Sequence, residues 1–363
     1  MFDRLADEYE QVVWCHDRPS GLRAIVAIHS TALGPALGGT RYYPYDSEDD
    51  ALEDVLRLAQ GMTYKSALAG LDLGGGKAVI IGDPAKDKSE ALLRVYGRFI
   101  DSLGGRYLTA EDVGTTQADM DTIWRETRCV TGISPYLGGS GDPSTATAQG
   151  VWWAMRAVAG HLAGSSSADG DLDGAHVVIS GVGKVGSALA GLLVGSGAKV
   201  SVCDTDRTAV ARVVAALGVT AVNVDDAHTV DCDLFSPCAL GASLNDTSVN
   251  ELRARAVVGS ANNQLAHPGV AATLAGRGVV YAPDFVVNAG GVIDIADGLT
   301  GYHPDRAAAA VSRIGATTLA VLTWAAERGT TTVTAAAELA EQRIAAVGSV
   351  PRLRTFPPPT GRR

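Results

Sequence analysis

His176-Val177-Val178-Ile179-Ser180-Gly181-Val182-Gly183-Lys184-Val185-Gly186 is the stretch that decides the fold. Its first five residues, three of them β-branched, predict a strand, and a G-x-G-x-x-G run follows at once. Gly181 allows a tight turn, Gly183 lets backbone approach a pyrophosphate, and Gly186 permits close helix–strand packing. A helix is expected over Ser187 to Val194, with its free N–H groups and positive dipole end turned to the phosphates. The next strand, Lys199-Val200-Ser201-Val202-Cys203, ends on Asp204. An acid about twenty residues beyond such glycines accepts ribose hydroxyls and repels a 2′-phosphate. NAD is therefore expected rather than NADP, although the cation Arg207 stands close by. In a chain with 43 glycines the run alone could be a structural turn; its strand–turn–helix setting makes it a dinucleotide site. Gly181, Val182, Gly183, Lys184, Val185, Gly186 and Asp204 are the cofactor residues read from it.

Outward from this stretch, strand and helix patterns alternate over 176–180, 186–196, 199–203, 207–217, 232–236 and 256–259. Such alternation means βαβ units and a parallel sheet. The fold class is α/β with two domains: an N-terminal α/β substrate domain and a Rossmann-like, doubly wound NAD-binding domain. The turn-rich joint Gly138-Gly139-Ser140-Gly141-Asp142-Pro143 separates them, giving boundaries of 1–140 and 141–324. The N-terminal part is read as a strand over 22–29, a helix over 48–62 capped by Ser47, a strand over 77–82, a helix over 89–103 and a strand over 106–110. From about 305 to 348 the chain is Ala-rich and helical, and helices near 325–350 are expected to pack back on the first domain. The Pro- and Arg-rich residues 351–363 read as a disordered tail.

Composition excludes several classes. A net charge of −10 argues against nucleic acid, which needs a basic face. Five cysteines, Cys15, Cys129, Cys203, Cys232 and Cys238, show no C-x-x-C spacing, so neither a disulfide framework nor a metal site follows. Cys238 reads as a buried structural thiol. Reduced cysteines and the lack of a signal stretch favour the cytoplasm. No apolar run is read as reaching the ~20 residues of a membrane span.

The chemistry is read into the first half. Lys65 closes Gly61-Met62-Thr63-Tyr64-Lys65, and Gly74-Gly75-Gly76 lead into Lys77 at the head of an aliphatic strand. Glycines so placed bring backbone very close to a ligand or to other backbone. Burial beside a second ammonium is how a lysine becomes a usable base. Asp112 in Glu111-Asp112-Val113-Gly114 offers a carboxylate at a strand end. On spacing alone, a surface lysine and a loop salt bridge fit these residues better.

A resemblance then takes over. Ser30-Thr31-Ala32-Leu33-Gly34-Pro35-Ala36-Leu37-Gly38-Gly39-Thr40-Arg41, Gly61 to Lys65, Gly74 to Lys77 and Thr109 to Thr115 resemble the Glu/Leu/Phe/Val dehydrogenase superfamily. So do Gly181 to Gly186, Ala261 to Leu265 and Tyr281 to Gly291, in the same order over about residues 12 to 345. Within it the pattern is nearest to the valine and then the leucine dehydrogenases. The resemblance implies NAD-dependent, reversible oxidative deamination of a small apolar amino acid to its 2-oxo acid. Lys65 matches the lysine that pairs with the substrate α-carboxylate, Lys77 the general base on water, and Asp112 the aspartate that shuttles a proton to the amine. Gly39 and Asn262 match substrate-binding positions; Thr147, Asn262 and Asn288 match cofactor contacts. A homo-oligomer, dimer or larger, is implied as well.

The resemblance also locates a side-chain pocket at Leu37, Ala110, Val292 and Ile295. The glutamate enzymes carry a lysine at the first and a serine at the last. Here both are apolar, so a glutamate side chain would bury an unpaired carboxylate at a cost of several kcal/mol. Ala110 and Val292 keep the pocket narrow, which favours valine, with leucine and isoleucine also accepted. Phenylalanine dehydrogenase is the rival within the family. A catalytically silent NAD- and amino-acid-binding protein is the rival outside it, and the presence of Lys65, Lys77 and Asp112 argues against that.

Overall fold

The computed structural model describes residues 9–239 and 241–348, which divide into two compact units. The first holds the chain up to Asp142, Ile295–Pro304 and the segment from Ala340; the second holds Pro143–Asp294 and Asp305–Leu339. The basic residues 351–363 lie outside the described residues.

The first unit runs β1 (Gln11–Asp17), β2 (Leu22–Ser30), β3 (Ala36–Tyr43), α1 (Glu48–Leu68), β4 (Gly74–Ile81), α2 (Glu90–Ser102), β5 (Tyr107–Glu111) and α3 (Gln117–Trp124). Its sheet has the order β1-β2-β4-β3-β5. β4, β3 and β5 are parallel neighbours, whereas β2 runs antiparallel to both β1 and β4. Ser47 caps α1 as read, its hydroxyl accepting from the Asp50 N–H at 3.1 Å. The helix continues past residue 62 to Leu68, so Lys65 sits in its last turn. β3 escapes a sequence reading because Ala36-Leu37-Gly38-Gly39 lacks the β-branched alternation that marks a strand.

The glycines before Lys77 are inside β4, not ahead of it. A Cβ on Gly75 would lie 2.0 Å from the backbone nitrogen of Thr63 in α1, and one on Gly38 would lie 1.8 Å from the Gly76 carbonyl oxygen. These glycines let backbone approach backbone closely. α1 then seals one face of the sheet, packing Ala51, Leu52, Val55, Leu56 and Ala59 on Ile25, Ala27 and Val79. On the other face, Thr40 hydrogen-bonds both Tyr96 of α2 and Thr109 of β5 at 2.5 Å.

The second unit contains α4 (Ser144–Leu162), β6 (His176–Ser180), α5 (Lys184–Gly195), β7 (Lys199–Cys203), α6 (Arg207–Leu217), β8 (Thr220–Ala221), β9 (Cys232–Pro237), α7 (Asp246–Glu251), β10 (Ala254–Val257), α8 (Gly269–Gly276), β11 (Val280–Tyr281) and α9 (Asp284–Val287). α10 (Gly290–Asp297), α11 (Pro304–Arg328) and α12 (Thr332–Gly348) follow. The sheet is parallel throughout, with order β11-β10-β9-β6-β7-β8. Strand order therefore reverses beside β6, the switch point at which doubly wound sheets take ligands. α5 starts at Lys184, immediately after the glycine turn and ahead of the expected Ser187.

One expectation needs correcting. α11 is long and apolar enough, by length and composition, to cross a membrane. Ala, Val and Leu are spread along it between a few charges, so no continuous apolar run announces it. In the fold, Ala307, Val311, Ile314, Thr318, Val321, Leu322 and Ala325 are buried at three- and four-residue spacing, the one-sided stripe of a core helix. The end of α12 belongs to the first unit, where Arg343 donates to the carbonyls of Ala67 and Leu71 at 3.0 and 2.8 Å. Those bonds tie α12 to the last turn of α1 and to the loop that follows it.

Candidate active site

Strand alternation assembles the first half of the site. In register, Leu37 of β3 lies between Gly75 of β4 and Leu108 of β5, and Gly39 lies beside Ala110. Parallel partners point the same way, so Leu37, Gly39, Arg41, Gly75, Lys77, Ala110 and the following Asp112 share the face that α1 covers. Lys65 stands in the last turn of that helix, two residues beyond the Thr63 that meets Gly75. A Cβ on Gly39 would meet the Glu111 carbonyl oxygen at 2.5 Å and the Asp112 Cβ at 2.8 Å. Only glycine there lets Asp112 come so close.

Lys77 is 5% exposed, and its Nζ lies 3.2 Å from Asp112 Oδ1. The second oxygen, Oδ2, accepts from Arg41 Nε at 3.0 Å, and Arg41 Nη1 donates to Asp54 Oδ2 at 2.8 Å. Burial by itself would push the Asp112 carboxyl upward; Lys77 and Arg41 outweigh it and hold the group below the usual carboxylate range. Leu37 and Ala110 are buried beside this pair, with no charge to satisfy. Ile295, at the other end of the chain, is tied to the same region. Its carbonyl accepts from the Thr131 hydroxyl at 2.5 Å, and Thr131 N donates to the carbonyl of Thr109, the neighbour of Ala110.

The second unit assembles the glycine loop. Gly181 turns at φ +106°, in the region that favours glycine, and a Cβ on Gly186 would lie 1.9 Å from the Gly181 carbonyl oxygen. A Cβ on Gly183 would meet open space, and no side chain caps α5 where it follows. Asp204 locks to this loop: Oδ2 accepts from Val182 N at 2.8 Å and Oδ1 from Asp206 N at 2.9 Å. Partial burial raises its carboxyl, and these backbone donors more than reverse that, leaving it below its ordinary value. Lys184 and Val185 form the first turn of α5.

Thr147, in the first turn of α4, donates to the Pro143 carbonyl at 3.0 Å, and a Cβ on Gly291 would lie 2.6 Å from its hydroxyl. Val292 follows in α10 and is buried. Asn288 Nδ2 donates to Asn262 Oδ1 at 2.8 Å and to the Ser260 carbonyl at 3.1 Å. Asn288 Oδ1 is buried without a hydrogen-bond partner in the protein, an acceptor left for a ligand. Cys238, read as buried, is half-buried at the loop, with Sγ 3.4 Å from Ser236 Oγ. Among the described residues no group of three or more His, Cys, Asp or Glu side chains could hold a metal ion.

Two assemblies are thus built, one around Lys77 and Asp112 and one around the glycine loop. Residues 9–129 match the family model described as Glu/Leu/Phe/Val dehydrogenase, dimerisation domain. Residues 138–213 and 204–347 match the one described as Glutamate/Leucine/Phenylalanine/Valine dehydrogenase. The chain belongs to the Glu/Leu/Phe/Val dehydrogenase family. It is 53% identical over 337 residues to leucine dehydrogenase of Geobacillus stearothermophilus, covering 93% of this chain and 91% of that protein. It is 55% identical over 341 residues to valine dehydrogenase of Streptomyces coelicolor, covering 93% and 92%. The crystal structure of L-tryptophan dehydrogenase from Nostoc punctiforme matches with a TM-score of 0.84 at 40% identity, over 96% of this chain and 99% of that one.

Three residues of this Glu/Leu/Phe/Val dehydrogenase that support the site were not singled out from sequence. Arg41 ends the Gly38-Gly39-Thr40-Arg41 motif, and its period-two spacing from Gly39 would have placed it on the site face had β3 been read as a strand. Gln264 is wholly buried and its amide holds the turn leading to Asn262, donating to the carbonyls of Gly259 and Ala261 at 2.8 and 3.0 Å. Thr131 carries no local signal at all; its partner is 164 residues away.

Proposed function

We propose that the protein is an NAD-dependent dehydrogenase that oxidatively deaminates small, apolar, branched-chain L-amino acids. Valine is the preferred substrate, leucine and isoleucine are also accepted, the products are the 2-oxo acid and ammonia, and the reaction is reversible. The observation that carries this reading is the buried Lys77–Asp112 pair beside the uncharged walls of Leu37 and Ala110. A dinucleotide fits the open space at Gly183, the uncapped start of α5 and the Asp204 carboxylate. That carboxylate opposes a 2′-phosphate, which supports NAD over NADP. Asn288 and Asn262, with Thr147, are the further residues assigned to the cofactor. NAD, when bound, supplies the acceptor for the hydride leaving the substrate Cα.

The chain's own residues do the rest. Lys65 pairs with the α-carboxylate; Gly39, Leu37, Ala110 and Ile295 of the first unit, and Asn262 and Val292 of the second, are the residues assigned to the amino acid. Once Cα is an iminium carbon, Lys77 takes a proton from water as its oxygen adds there. Asp112 relays a proton from the protonated lysine to the carbinolamine nitrogen; as the C–N bond breaks, Lys77 takes back the hydroxyl proton, the C=O bond forms and ammonia leaves. The protonated lysine steadies negative charge that develops on oxygen. The dimerisation domain matched by residues 9–129 supports a homo-oligomer, and free cysteines suit the cytoplasm.

Formation of reduced cofactor with Val, Leu, Ile, Phe, Trp and Glu, each with NAD and with NADP, tests this reading. Val, Leu and Ile should lead with NAD. A preference for Phe or Trp would remove the branched-chain assignment, and no turnover of any amino acid would remove the dehydrogenase.

A further inference from the structure

We infer that Arg41 is a positioning residue for Asp112: its guanidinium takes one carboxylate oxygen and leaves the other, facing Lys77, as the oxygen that handles protons. This rests on the reading of Asp112 as the proton carrier. The two oxygens are unequal in the structure. Oδ1 faces Lys77 Nζ at 3.2 Å, and Oδ2 faces Arg41 Nε at 3.0 Å. Arginine does not lose its proton in a protein, so Oδ2 can never be the protonated oxygen while Arg41 is in place. Lysine can, so Oδ1 is the one oxygen with a partner able to exchange a proton.

Arg41 is itself held from behind. Its Nη1 donates to Asp54 Oδ2 of α1, and that same oxygen accepts the Tyr45 hydroxyl at 2.6 Å. Arg57 closes the line on Asp54 Oδ1 at 2.9 Å. Lys77, Asp112, Arg41, Asp54 and Arg57 thus alternate in sign along an unbroken row. Among the described residues, the charged groups facing Asp112 are Lys77 from β4 and Arg41 from β3, with Asp54 of α1 and the Tyr45 phenol behind Arg41, and the buried Tyr107 phenol of β5 also feels its charge. The planar fork of an arginine reaches Asp112 and Asp54 at once; a lysine, with one point of charge, cannot replace both contacts. Asp112 is therefore fixed in rotamer and kept ionised by a cation that takes no part in the proton traffic.

Removing a fixed cation raises the proton affinity of the carboxylate, so the ionised form fails earlier as pH falls. In Arg41→Gln the acid-side decline of kcat/KM should move up by about one unit or more. kcat should fall about 10- to 100-fold through lost orientation, with KM for NAD unchanged. Arg41→Lys should return the acid limb towards wild type while kcat stays low, because charge comes back without the fork. Arg41→Lys also keeps the test open if Arg41→Gln does not fold, since it retains a cation and loses only the fork. An acid limb unmoved in Arg41→Gln, or a wild-type kcat in Arg41→Lys where the former is unfolded, overturns the proposal. A loss equal at every pH does the same. If Asp112→Asn itself turns over normally, the reading beneath it fails instead; if Asp112→Asn is inactive and Arg41→Gln is normal, only the role of Arg41 falls.

Discussion

Gly75→Ala should cripple the first unit by moving a helix rather than by touching a reactive group. The new Cβ would lie 2.0 Å from Thr63 N, 2.3 Å from Thr63 Oγ1 and 2.4 Å from Thr63 Cα. Ordinary carbon contacts begin near ~3.5 Å, so α1 must retreat by about an ångström or more. Backbone cannot rotate aside as the end of a side chain can. Overpacking of this kind costs about 1–3 kcal/mol and sometimes more. Each kcal/mol lowers Tm by about 2–4 °C in a domain of roughly 150–250 residues. Lys65 rides on the same helix turn as Thr63, so an ångström of displacement should lower kcat/KM about a hundredfold. Gly61→Ala is the control, since a Cβ there meets nothing within 4 Å in the same helix. It should leave activity alone and stabilise the helix by about 0.5–1 kcal/mol. Thermal melts and kcat/KM for valine on the two variants decide the matter. A Gly75→Ala protein with wild-type Tm and wild-type activity would refute the packing argument.

Other outcomes follow from the same structure. Asp204→Ser removes the charge that opposes a 2′-phosphate, so the ratio of kcat/KM for NAD to that for NADP should narrow; an unchanged ratio would remove Asp204 from coenzyme selection. The Asp112 carboxyl is held below its ordinary value of 3.8, so its ion pairs stabilise the fold fully above that value. That stabilisation is lost as pH falls through the lower folded value. Asp112→Asn should therefore weaken the protein at neutral pH and flatten its loss of Tm on acidification; a parallel Tm profile would deny the pairing. Glutamate should be turned over at least about a hundredfold less efficiently than valine, because Leu37 and Ile295 offer its buried carboxylate no partner. Glutamate turnover near that of valine would mean that these positions do not line the pocket.

The second unit was legible because its pattern is local. The strand from His176 to Ser180, the glycine run and the acid at Asp204 lie within one βαβ unit, and the strands at 176–180 and 199–203 fall where the sequence puts them. α5 begins at Lys184 because Gly183 already provides the extended residue before a helix, which apolar periodicity alone does not reveal. The first unit was less legible for a physical reason. β3 is built from small residues that permit close strand packing; in the second unit, only the two-residue strands β8 and β11 are too short to show any period. On spacing alone Lys77 fits a surface position, although the aliphatic strand it begins tends to bury it; α1 seated directly on Gly75, a long-range contact, covers that face. The Arg41–Asp112 bond spans 71 residues and the Thr131–Ile295 bond 164, and no spacing rule reaches that far.

The central claim is that Lys77, paired with Asp112, performs the proton chemistry of amino-acid deamination. Formation of reduced NAD from L-valine by wild type and by Lys77→Ala, with NAD affinity measured on both, tests it most directly. Wild type should turn over, and the variant should lose about 10²–10⁴-fold in kcat while binding NAD as before. Turnover within a few-fold of wild type in Lys77→Ala would contradict it.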